Sequence, residues 1–141
     1  MSGNRPFFDT NVLLYLLSGD DEKADRAEAL LAQRGTLSVQ VLNEFAAVAS
    51  RKLGLSYPEI RDVLEPIRAV CAVEPVTLET HDLGVAIAAR YGFSIYDALV
   101  VAAALLADCE TLYSEDLQDG QRIDGRLVVR NPFASPKTPQ V

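Results

Sequence analysis

Four acidic residues stand where the surrounding pattern points a carboxylate toward chemistry: Asp9, Glu44, Asp97 and Asp116. Asp9 follows the apolar run Pro6-Phe7-Phe8 and precedes Thr10-Asn11. It therefore falls at the carboxyl end of a first strand, the edge where open α/β sheets bind ligands. A plainer role is also open, because Asp9 or Thr10 suits the cap of a following helix. Asp97 lies at the start of a segment, Ile95 to Ala107, that is apolar nearly all round and reads as a buried helix. Ser94-Ile95-Tyr96-Asp97 equally resembles a capping box with Asp in place of the usual Glu. Glu44 sits one turn from Val41 and Val48 and beside Phe45, at the margin of an apolar face. Its alternative is a stem laid on apolar surface and a head paired with Arg51 or Lys52. Asp116 follows Leu112-Tyr113-Ser114-Glu115, again just beyond a strand, where Asp and Ser also open turns. Glu115 and Asp119 compete with it for the same role.

Jointly the four say more than any one of them, because three fall at a single rim of a parallel sheet. Carboxylates gathered there repel one another and stay ionised together only beside cations, so a metal is implied. An all-oxygen donor set selects Mg²⁺ or Mn²⁺ over zinc. The only histidine, His81, lies between Thr80 and Asp82 at a helix start and reads as a surface residue. Without it no Ser-His-Asp or Cys-His arrangement can be assembled. The formal net charge of -7 argues against a protein that grips nucleic acid mainly through a basic surface. A polyanionic substrate would need bound cations as mediators. Arg5, Arg51, Lys52 and Arg90 either form a local basic rim or are solvated surface charges.

The elements that must position these groups alternate between short apolar runs and longer segments of helical period, the pattern of a parallel sheet with helices packed on it. Strands are expected near Pro6–Phe8, Thr36–Val39, Ala72–Val76, Thr111–Tyr113 and Arg126–Val129. Helices are expected near Val12–Leu17, Glu22–Gln33, Val41–Lys52, Pro58–Val70, Glu79–Tyr91 and Ile95–Ala107. Gly19, Gly35, Gly54 and Gly92 each sit where a left-handed helix cap would, and Ser56 suits the start of the helix at Pro58. The 141 residues, 49% hydrophobic and 23% charged, suit one globular domain. Residues 1–133 are read as that domain and 134–141, with Pro136 and Pro139, as a mobile tail.

Cys71 and Cys109 have no second thiol or histidine beside them, which points to a reducing, cytoplasmic compartment. Asp9 and Asn11 interrupt the run a signal peptide would need. The longest apolar run, Ala98 to Ala107, is about half of the roughly 20 residues needed to cross a bilayer, so no membrane association is expected.

Phe8-Asp9-Thr10-Asn11, Asn43-Glu44-Phe45, Tyr96-Asp97-Ala98 and Ser114-Glu115-Asp116-Leu117 together resemble the PIN-domain family, in particular the VapC-type toxins of bacterial toxin–antitoxin pairs. The motifs occur in the family's order and spacing, and the resemblance covers nearly all of residues 5 to 133. It implies a three-layer α/β/α sandwich around a five-stranded parallel sheet, and a metal-dependent endoribonuclease. By the match Asp9, Glu44, Asp97 and Asp116 form the acidic quartet, with Asn11 and Ser114 as supporting polar groups and Asp119 as an optional further carboxylate. A homodimer and a small antitoxin partner are implied in the same way.

Two other readings fail on the same residues and a third keeps the fold. An aspartyl-phosphate phosphatase wants a second Asp two residues after the first, where this chain has Asn11, which cannot donate a proton to a leaving group. A receiver domain wants an Asp after the third strand and a Lys after the fifth, where Val76-Thr77-Leu78 and Arg130-Asn131 stand. A catalytically silent PIN-like scaffold keeps the fold and drops the activity, because fold does not fix function.

Overall fold

The computed structural model describes residues 5–133, and the tail expected at 134–141 lies outside them. The elements run β1 (Pro6–Phe8), α1 (Thr10–Tyr15), α2 (Asp21–Leu31), β2 (Thr36–Ser38), α3 (Val39–Leu53), α4 (Tyr57–Val70), β3 (Ala72–Glu74), α5 (Leu78–Tyr91), α6 (Ile95–Leu106), β4 (Thr111–Tyr113), β5 (Arg122–Ile123) and β6 (Leu127–Arg130). The strands form one sheet in the order β3-β2-β1-β4-β6-β5. Every pairing is parallel except that of β5 with β6. The class is α/β, as the alternating pattern predicts.

The sheet has six strands where five parallel ones are expected. The additional strand, β5, is two residues long, too short to show a period-two pattern. It joins β6 through Asp124 and Gly125, both at positive φ (51° and 69°), with Arg126 N–H donating to the Ile123 carbonyl at 3.1 Å. With Ile123 in register with Leu127, the loop is Asp124 to Arg126, and Asp124 and Gly125 take its positive-φ positions.

Two of the four expected glycine caps form. Gly54 and Gly92 close α3 and α5 in the left-handed conformation, with φ of 68° and 76°. Gly19 and Gly35 have no positive φ, and the left-handed residue after α2 is Arg34, at φ 58°. Gly35 has a different reason to be glycine: a Cβ there would lie 2.3 Å from the Pro6 carbonyl oxygen and 2.8 Å from Phe8 Cε2. The close approach lets β2 lie against β1. Gly84 does the same for the α5–α6 pair, where a Cβ would meet Leu99 Cδ2 at 2.7 Å.

The core joins sheet to helices: Phe7, Phe8 and Leu37 from the strands pack with Val41 and Phe45 of α3 and Val101 of α6, all fully buried. Among the described residues no single helix is long and apolar enough to cross a membrane. Helix α6 is apolar because it is enclosed, with seven of its twelve residues buried. Helix α4 is fixed at its start by a reciprocal capping box. The Ser56 N–H donates to Glu59 Oε1 at 2.8 Å, and the Glu59 N–H donates to Ser56 Oγ at 3.2 Å. Ser56→Ala is expected to cost about 1 kcal/mol, read as a lower urea midpoint with an unchanged slope.

Candidate active site

The strand order reverses between β1 and β4, since β2 and β3 lie on one side of β1 while β4 and β6 lie on the other. In open α/β sheets a crevice forms at this switch point, beyond the carboxyl ends of the strands. Phe8 pairs with Tyr113 at the end of the β1–β4 ladder, and Asp9 N–H continues it onto the Tyr113 carbonyl at 3.0 Å. Asp9 and Ser114 therefore emerge side by side at the crevice.

Asp9 is 3% exposed. Its Oδ1 accepts from the Thr10 N–H at 2.7 Å and its Oδ2 from the Ser114 hydroxyl at 2.7 Å. It caps α1 and faces the crevice at once, so both roles open to it in the sequence are realised locally. Burial pushes its carboxyl up to about 6, against the lowering effect of the Ser114 and Thr10 hydrogen bonds, and the charges of Asp116 and Glu44 push it further the same way. Ser114 is fully buried, and its Oγ also accepts from the Asp116 N–H at 3.1 Å. One hydroxyl thus ties two of the acidic residues together.

Glu44 reaches the crevice from the second turn of α3. The Thr10 hydroxyl donates to its Oε2 at 3.2 Å and Gln40 Nε2 to its Oε1 at 2.9 Å. The same Gln40 amide donates to the Tyr96 carbonyl at 3.1 Å, linking α3 to the start of α6. Pairing of Glu44 with Arg51 or Lys52 is not what forms. Asp97 sits in the first turn of α6, where its N–H donates to Ser94 Oγ at 3.2 Å. The return bond, from the Ser94 N–H to its carboxylate, is not made, so the expected capping box is half built. Burial first, then the Asp116 charge, raise its pKa, the Ser94 hydroxyl lowers it, and Glu44 raises it further. Asp116 is exposed, and its Oδ2 accepts from Asn11 Nδ2 at 3.2 Å.

The two rival carboxylates are engaged elsewhere. Glu115 accepts from the Tyr15 hydroxyl with both oxygens, at 2.7 and 2.8 Å. Asp119 accepts from the Asn131 N–H at 2.9 Å. His81 is an exposed residue of α5. Arg90, a candidate for the basic rim, is held by Asp124 at 2.5 Å. Lys52 borders a groove that also reaches Asn11 and Glu115.

Among the described residues the two ion pairs are Glu22–Arg26 and Arg90–Asp124, and neither touches Asp9, Glu44, Asp97 or Asp116. The cluster thus carries mutually opposing negative charge with no cationic side chain paired to it. Its donors are all hard oxygens, which suits Mg²⁺ or Mn²⁺. Among the described residues no three acidic, histidine or cysteine side chains are gathered into a finished cage. The donor chemistry fits a divalent ion, and closing around it would need side-chain adjustment.

Sequence reasoning overlooked Gln40, the Thr10 hydroxyl as a donor to Glu44, and Tyr15. Gln40 carries a legible signal, standing four residues before Glu44 on one helix face. The Tyr15 contact spans 100 positions and leaves no local trace.

A family profile described as the PIN domain matches residues 7–124. No curated protein matches the chain. Among solved structures, a toxin–antitoxin complex from Klebsiella pneumoniae is similar at a TM-score of 0.69 and 22% identity, over 91% of this chain and 98% of that one. VapC20 of Mycobacterium tuberculosis, described as a sarcin–ricin loop cleaving toxin, is similar at 0.64 and 21% over 77% of this chain and 88% of that one. DNA-bound VapBC of Salmonella typhimurium is similar at 0.67 and 18%, over 92% and 99%.

Proposed function

The chain belongs to the PIN-domain family, and from that premise we propose that it is a divalent-cation-dependent endoribonuclease, the toxin half of a type II toxin–antitoxin pair. The observation that carries this reading is the group of Asp9, Glu44, Asp97 and Asp116 at the switch point, whose charges act on one another and, among the described residues, have no cationic side chain paired to them.

In this reading Asp9 and Asp97 are direct ligands of Mg²⁺ or Mn²⁺, Asp116 shares the ion, and Glu44 holds a water or a second ion. The bound ion supplies charge neutralisation and polarisation at the phosphodiester. The chain's own groups supply position. Thr10 and Ser114 fix the two Asp9 oxygens, and Thr10 and Gln40 fix those of Glu44. Hydrolysis forms a P–O bond from water and breaks the P–O bond to a ribose oxygen, which leaves protonated. Such positioning is what phosphoryl chemistry asks of a protein.

The partner assignments belong to the same proposal. An antitoxin is supported by relatives of the same fold whose structures are toxin–antitoxin complexes. A groove of about 400 Å³ lined by Leu14, Leu17, Val48 and Leu53 adjoins Asn11 and Glu115, and is apolar enough to receive a partner segment. A homodimer, a nuclease unit spanning residues 1–133 and a cytoplasmic location complete the reading. The location is supported by Cys71 and Cys109, both free and buried.

Purified protein incubated with labelled structured RNAs and Mg²⁺ or Mn²⁺ should cut them. The cutting should vanish with EDTA and in a folded Asp97→Asn variant. RNA left intact by protein freed of any co-purifying partner, over a broad substrate pool, would instead favour a PIN-like domain used for binding alone.

A further inference from the structure

Glu115 stands immediately before Asp116, and its backbone is anchored at the crevice. The Glu115 N–H donates to Asn11 Oδ1 at 3.3 Å, while Asn11 Nδ2 donates to Asp116 Oδ2. The Glu115 side chain is taken up on α1. Tyr15, one turn after Asn11 on α1, shares its hydroxyl proton between both Glu115 oxygens.

The tyrosine ring is itself held on two sides. Phe133 packs on it with centroids 4.1 Å apart, and Lys23 Nζ lies 5.0 Å from its centroid. Phe133 is in turn placed by its N–H on Asn131 Oδ1 at 3.0 Å and by Arg26 Nη1 on the Pro132 carbonyl at 2.8 Å. Several groups from separate parts of the chain thus fix one phenol against one carboxylate. The capture has an electrostatic reason, since a further carboxylate in the crevice would add to the like-charge repulsion already acting on Asp9 and Asp97.

We propose that Tyr15 is a positioning residue that holds Glu115 out of the acidic cluster and so limits to four the carboxylates presented to a divalent cation. The proposal rests on the cation-binding reading above. Ligand number separates cations: Mg²⁺ keeps several waters in near-octahedral geometry, whereas Ca²⁺ takes six to eight oxygens and favours extra carboxylates. A released Glu115 would therefore move the site toward Ca²⁺ and away from a hydrated, catalytically useful ion.

The test is calorimetric titration of the full chain with Mn²⁺ alone and Ca²⁺ alone, in the native protein and in Tyr15→Phe, Glu115→Gln and the double variant. Tyr15→Phe keeps the ring that packs on Phe133, and its fold is checked by circular dichroism and melting. It should bind Ca²⁺ about tenfold more tightly than the native protein, with a smaller gain for Mn²⁺. Glu115→Gln alone should leave both affinities unchanged, and the double variant should return to native values. Unchanged or weaker Ca²⁺ binding by folded Tyr15→Phe, or a gain that survives in the double variant, overturns the proposal and leaves the cation-binding reading standing. A native protein that binds neither ion overturns that reading and the proposal with it.

Discussion

Asp9→Asn is expected to lower RNA cleavage by roughly a thousandfold or more, while raising the melting temperature of the metal-free protein at pH 7.5. The loss follows from removing a buried negative charge from the group proposed to hold the cation. The gain follows from the same charge. Burial and neighbouring carboxylates lift the Asp9 carboxyl from 3.8 to about 6, so the folded protein binds this proton more tightly than the unfolded chain does. The contribution is fully present below about pH 4 and is lost as pH rises through about 6. A shift of about two units corresponds to roughly 3 kcal/mol at neutral pH. Asparagine removes the charge but offers one acceptor where Asp9 offers two, to Thr10 and Ser114, a cost of about 1 kcal/mol. The balance favours the variant by roughly 1 to 2 kcal/mol, several degrees for a domain of this size. Adding Mg²⁺ should raise the native melting point more at pH 7.5 than at pH 5, and the Asn variant should show little of either effect. Near-native turnover, or a variant that melts below the native protein in EDTA at pH 7.5, would contradict this account.

Gly35→Ala should be the most damaging single-methyl change among the described glycines. Its Cβ would lie 2.3 Å from the Pro6 carbonyl oxygen and 2.9 Å from Pro6 Cγ. Backbone atoms cannot swing aside as a side-chain end can. Neither strand is free to yield: Phe7 is in register with Thr36, and the Gly35 carbonyl accepts from the Ala72 N–H at 2.9 Å. Relief requires β1 and β2 to move apart, at a cost on the order of 3 kcal/mol and a fall of about 10 °C in melting temperature. Because β1 leads directly into Asp9, cation affinity should fall as well. Urea denaturation gives the first quantity, and a loss under about 0.5 kcal/mol, the size of an ordinary surface change, would show that the contact is relieved elsewhere.

The sequence signal was strong where a feature is local and weak where it depends on pairing at a distance. Apolar runs flanked by turn residues mark β1, β2, β3, β4 and β6, and the helical period marks all six helices to within about two residues. The two-residue β5 has no period to show. In sequence Gly35 looks like a helix cap because it follows α2. Its actual constraint, contact with Pro6, lies in a neighbouring strand. At the site, the strand-end placement of Asp9 and Asp116 was legible from their neighbours. The half-made cap at Asp97 was not, because Ser94 and Asp97 fit a full capping box equally well in sequence. Nor could sequence choose among Glu115, Asp116 and Asp119. In the structure Glu115 is bonded by Tyr15 of α1 and Asp119 by Asn131 of the turn after β6, contacts that no local pattern announces.

The central place of β1 also bears on how the protein comes off the ribosome. The first strand to emerge pairs with β2 after residue 36 but must wait for β4, and Asp9 must wait for Ser114, 105 positions downstream. Until then the nascent chain has an open strand edge and only part of its acidic cluster, a state that invites chaperones and is slow to resolve. Under the proposed function, a chain truncated before residue 111 lacks β4, Ser114 and Asp116 and cannot assemble the site, and a silencing partner has the whole of synthesis in which to arrive.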